Sequence, residues 1–86
     1  MIWRILVVDD HEVVRIGIRS LLAEDQDITV CSEAEDGLDA IVKYRACNPD
    51  IVILDYLKST KRLTNEIRAK GVGFLEQGYQ RELTYR

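Results

Sequence analysis

The apolar positions change period along the chain, and each change marks an element. Ile5, Leu6, Val7 and Val8 follow one another without alternation and stop at Asp9 and Asp10. That pattern fits a strand covered on both faces, as in a parallel sheet flanked by helices. After Asp10 the spacing turns helical. Val14, Ile18, Leu21 and Leu22 share one stripe, widened by Val13 and Gly17, which predicts a helix ending near Ala23. Gly17, in the middle of the stripe, predicts a close approach of this helix to the sheet. Glu24 to Asp27 is a polar turn, and Ile28 to Cys31 is a short β-branched strand. A second helix is predicted from about Asp36-Gly37, with Leu38, Ile41 and Val42 facing inward. It stops before Asn48-Pro49, because proline disfavours helical geometry in the residue before it. Ile51 to Leu54 then repeats the opening pattern and again ends in a carboxylate, Asp55.

The order is βαβαβ, and right-handed crossovers place the first and third strands side by side. Asp9, Asp10 and Asp55 are therefore predicted to converge at the carboxyl edge of the sheet, where open parallel sheets bind ligands. Three neighbouring carboxylates repel one another. Such a site calls for protons or a cation, and hard oxygen donors suit Mg²⁺. The alternative is that the acids only cap helices at the strand ends.

Length and composition set the scale. With 86 residues the chain makes one domain with a modest core, and 47% hydrophobic with 31% charged residues is an ordinary globular balance. No apolar run approaches the roughly 20 residues that cross a bilayer, and Met1-Ile2-Trp3-Arg4 does not open a signal segment. A cytoplasmic protein without a membrane partner is expected. The net charge of −3 divides unevenly: residues 1 to 57 hold five Lys/Arg against twelve Asp/Glu, and residues 58 to 86 hold seven against three. The basic residues of the tail are scattered and read as a solvated helix face, so no direct nucleic-acid binding is expected. Cys31 and Cys47 have no metal-like spacing and read as buried free thiols.

Three segments carry a resemblance. Arg4 to Gly17 with its Asp9-Asp10-His11 turn, Ala34-Glu35-Asp36-Gly37-Leu38-Asp39-Ala40, and Pro49 to Asp55 closely resemble, in that order, the receiver domain of bacterial response regulators. Asp-Asp-His followed by Arg15-Ile16-Gly17 looks like the NarL/FixJ (LuxR-type) branch. The resemblance covers residues 2 to 57 and implies an open flavodoxin-like (CheY-like) α/β sheet with flanking helices. It implies a phosphoacceptor role for Asp55, with Mg²⁺ held by Asp9, Asp10, Asp55 and the backbone carbonyl of Leu57. It also implies a histidine kinase or a small phosphodonor as partner, and a signalling module rather than an enzyme. His11, by contrast, reads as an exposed residue of the first helical turn, neither base nor ligand.

The pattern fails beyond Leu57, so residues 1 to 86 read as one truncated receiver-like domain of about four strands, with 58 to 86 an atypical tail completing the sheet. Ser59 or Thr60 is predicted to cap a helix with Leu63 and Ile67 inward, closing at Gly71, followed by a strand at Val72 to Leu75 and a helical segment carrying Tyr79 and Leu83. Gly73 to Leu83 looks like the last strand and helix of a receiver, with Gln77 replacing the family's lysine. The stretch Leu54 to Phe74 is also faintly similar to a serine recombinase segment. Neither the family's Ser/Thr nor its Lys has a clear counterpart, so two functions compete: a phosphoryl-accepting receiver impaired by truncation, and a chimeric or remnant interaction module without phosphotransfer. No segment reads as an output domain. Lys58, three residues past Asp55, is a candidate substitute cation at the acidic cluster. An incomplete layer predicts self-association.

Overall fold

The computed structural model describes the backbone of residues 1–55, 61–70, 73–77 and 83–84, and the side chains of residues 1–54 and 65–70. In chain order its elements are β1 (Trp3–Val8), α1 (Glu12–Leu22), β2 (Ile28–Ala34), α2 (Gly37–Cys47), β3 (Ile51–Asp55), α3 (Lys61–Lys70), β4 (Gly73–Gln77) and β5 (Leu83–Thr84). They build one sheet in the order β2-β1-β3-β4-β5. The first four are parallel, and β5 runs antiparallel to β4. The open α/β architecture is the expected one, with β1 and β3 adjacent as the crossover rule requires. It differs at the end of the chain. Leu83 pairs with Leu75 as a strand residue rather than lying on a helix, and Tyr79 lies outside the described residues.

Alternate residues of the central strands enter two different cores. Leu6 and Val8 of β1 join Val52 and Leu54 of β3, Ala34, and the α2 residues Ala40, Ile41 and Tyr44, with Ile67 of α3 completing this cluster. Ile5 and Val7 join Ile53 on the opposite face, where Ile18 and Leu22 of α1 pack only in part. Both faces of β1 are thus covered, which is why its sequence shows no alternation.

The helices seat differently from the prediction. On α2 the buried residues are Gly37, Ala40, Ile41 and Tyr44, whereas Leu38 and Val42 are 69% and 64% exposed. The observed set is a proper i, i+3, i+4, i+7 stripe. It wins because Tyr44 covers more of the sheet than Val42, and because Ala40 lets the helix come close. Asp36 caps this helix by accepting a hydrogen bond from the Asp39 N–H at 2.8 Å. Asn48 ends it in the left-handed region at φ 47°, its N–H bonded to the Tyr44 carbonyl, and Pro49 follows. On α1 no residue is fully buried. Gly17 is not a close approach either: a Cβ added there would meet nothing within 4 Å.

β2 runs three residues beyond the predicted Cys31 because it contains a bulge. Ile5 pairs with Val30, but Leu6 pairs with Ser32, so Cys31 is an extra residue. Val30 packs on the α1 face and Ala34 on the α2 face, although both are even-numbered and strict alternation would put them on one side.

α3 docks through charge as well as Ile67. The Arg45 guanidinium forks onto Glu66 at 2.7 and 3.2 Å, and Lys70 Nζ stands 5.4 Å from the centre of the Tyr44 ring. Burial, reinforced by nearby Glu66, raises the Tyr44 pKa above its ordinary value.

Candidate functional site

β1 delivers Asp9 to the carboxyl edge of the sheet, where its residue is 3% exposed and its N–H donates to the Ala34 carbonyl at 3.0 Å. Asp10 follows on the open side. His11 sits at the N-cap of α1 in extended geometry, and its N–H donates to Asp9 Oδ1 at 2.8 Å. Its ring turns back so that Nδ1 lies 3.0 Å from Asp9 Oδ1 and 2.8 Å from Asp10 Oδ1. His11 is exposed at the start of α1 as expected, its side chain 66% exposed, and one donor atom from each of Asp9, Asp10 and His11 falls within 4.8 Å of the others. No apolar period could have revealed this, because the contact comes from the sharp turn between strand and helix.

Arg15 holds this turn, and further cations gather around Glu33. Arg15 Nη1 donates to the Asp9 carbonyl at 2.5 Å, and Arg15 Nε lies 3.4 Å from Glu33 Oε1. Arg19 also bonds Glu33, and Lys43 of α2 donates to the Glu33 carbonyl at 3.1 Å and to Asp39 at 3.2 Å. Glu33 thus ties both neighbouring helices to β2. The sequence signal was available in the Arg15 and Arg19 spacing, which places both guanidiniums on one helix face.

Asp55 closes β3, and its backbone is one residue beyond the Val8–Leu54 pair, so the chain sets Asp9 and Asp55 side by side at the sheet edge. Its side chain, Leu57 and Lys58 lie outside the described residues. Asp55 pairs on its other side with Gln77. Gln77 therefore ends the strand next to β3.

Comparison with known proteins matches this architecture. The family model described as the response regulator receiver domain matches residues 5–58. The chain belongs to that family. A model of the A-macroglobulin TED domain also matches, over residues 41–86. Sequence relatives and solved structures agree with the receiver assignment. The response regulator protein VraR of Staphylococcus epidermidis is 47% identical over 57 residues, which is 66% of this chain and 27% of VraR. The chain thus spans about a quarter of the length of the curated relatives it matches. Among solved structures, the response regulator domain of Thermotoga maritima CheB superposes with a TM-score of 0.77 at 25% identity, covering 88% of this chain and 60% of that one. The receiver domain of the response regulator NarL from Mycobacterium tuberculosis gives a TM-score of 0.74 at 27% identity, over 87% of this chain and 63% of that one. The structural likeness therefore extends past residue 58, where the sequence match of the family model stops. Among the described residues, no helix is long and apolar enough to cross a membrane.

Proposed function

We propose that this receiver domain accepts a phosphoryl group on Asp55 from a histidine kinase or a small phosphodonor, with Asp9, Asp10, Asp55 and the Leu57 carbonyl holding Mg²⁺. The observation that carries this reading is the register of β1 with β3, which brings Asp9 and Asp55 to neighbouring positions on one sheet edge. The donor set fits: two adjacent carboxylates, one of them nearly buried, are hard oxygen ligands of the kind Mg²⁺ takes. When bound, the ion supplies the positive charge that lets an anionic nucleophile approach a phosphoryl group. Asp55 then supplies the nucleophile. Its carboxylate oxygen forms the new bond to phosphorus as the bond to the donor's leaving group breaks, giving an acyl phosphate. Asp9 is held for its part by the Arg15 bond to its carbonyl and by the His11 N–H on its carboxylate. His11, beside both acids, acts as a positioning residue.

The metal part of the proposal is testable by melting. A ligand that binds only the folded state adds RT ln(1 + [L]/Kd), about 1.4 kcal/mol at ten times Kd. Millimolar Mg²⁺ should raise the melting temperature of the parent and leave an Asp9→Asn/Asp10→Asn double variant unmoved. An equal shift in both, or none in either, contradicts the assignment.

A further inference from the structure

Cys31 and Cys47 belong to different elements, yet their sulfurs stand 2.7 Å apart as free thiols. Two independent features bring them together. The bulge in β2 makes Cys31 the unpaired residue and re-aims its side chain, at the point where the strand switches faces. Cys47 closes α2, packs against the larger core, and is fixed from behind. The Arg4 guanidinium donates to the Cys47 carbonyl at 2.8 and 3.2 Å, while the Arg4 N–H donates to Asp50 Oδ2 and the Arg4 carbonyl accepts from the Asp50 N–H, each at 2.8 Å.

We propose that Cys31 and Cys47 are an oxidation site that closes into a reversible intramolecular disulfide, stapling β2 to the carboxyl end of α2, by exchange with a small disulfide such as oxidised glutathione. Burial, then the contact with Cys31, pushes the Cys47 thiol up to about 12, so it is protonated near neutral pH. In the proposed order Cys31 attacks first. Its thiolate forms a bond to one glutathione sulfur, and the other glutathione leaves as a thiolate. Cys47 then gives its proton to solvent and attacks the Cys31 sulfur, releasing the second glutathione. Two protein thiols are oxidised to one disulfide, and one glutathione disulfide is reduced to two thiols. The sulfurs have about 0.7 Å left to travel to the bonded distance, so the fold closes the bond without moving either element far.

The test is to incubate the full chain with oxidised glutathione and follow intact mass, thiol alkylation after denaturation, and melting. The expected product has lost two hydrogens, carries no glutathione, resists alkylation at both cysteines, and melts on the order of 10 °C higher until dithiothreitol reverses the shift. Cys47→Ser should trap one glutathione on Cys31, with no rise in melting temperature. A product that keeps two glutathiones, a disulfide-linked dimer, or an internal disulfide that leaves melting unchanged or lowered would overturn the proposal.

Discussion

The two faces of the sheet are built from alternate residues of the same strands, yet they are not equally finished. Under α2 and α3, nine of the described residues are buried in one cluster, and a capped helix with Tyr44 seals it. Under α1, among the described residues, only Ile5, Val7 and Ile53 are buried. There, Val13 is 81% and Leu21 70% exposed. A cleft of about 290 Å³ opens between α1 and β2, lined by Arg19, Leu22, Ala23, Ile28, Thr29 and Val30. The comparison teaches that a buried strand reports the presence of two layers but not how well either is filled. Among the described residues, exposed apolar side chains lie on α1, at Val13, Val14, Ile16 and Leu21, and on the outer side of α2, at Leu38 and Val42, whereas Ile67 of α3 is fully buried.

A substitution series reads this asymmetry by urea unfolding. Leu54→Ala empties a fully buried position and should cost about 3 kcal/mol or more. Ile18→Ala, on the half-filled face, should cost about 1 kcal/mol, since only part of the side chain leaves water on folding. Gly17→Ala should gain roughly 0.5–1 kcal/mol, because the added methyl meets nothing and improves helix propensity. Equal costs for Leu54 and Ile18, or a loss at Gly17, would erase the distinction between the faces.

The smallest change in monomer stability sharpens the comparison most. We propose that the open face of α1 pairs in self-association, which hides its apolar side chains. Leu21→Glu should alter folding stability by less than about 0.5 kcal/mol, since the residue is largely exposed. Light scattering at micromolar concentration should nevertheless show a dimer or larger for the parent and a monomer for the variant. A monomeric parent would contradict the pairing.

What the sequence disclosed follows from the same physics. β1 and β3 were legible because burial on both faces removes alternation, and their carboxylate ends located the sheet edge. The inward face of α2 was legible only at Ile41, since Leu38 and Val42 are as apolar as the residues that won; only the fit of Ala40 and Tyr44 against the sheet decides between them. The extent of β2 was hidden by its bulge, because Ser32 and Glu33 break the period just where the strand changes face. His11 joined the acids through a backbone turn that leaves no periodic trace. The tail's pairing could not be read either: β4 finds its place through register with β3, a long-range relation that five residues of local pattern do not encode.

The central claim is that the sheet edge shared by Asp9 and Asp55 accepts a phosphoryl group. Intact-mass measurement after treatment with acetyl phosphate and Mg²⁺ tests it most directly. The parent should gain the mass of one phosphoryl group in a hydroxylamine-sensitive linkage, and Asp55→Asn should gain none. A parent that stays unmodified, or an adduct that persists in Asp55→Asn, would contradict it.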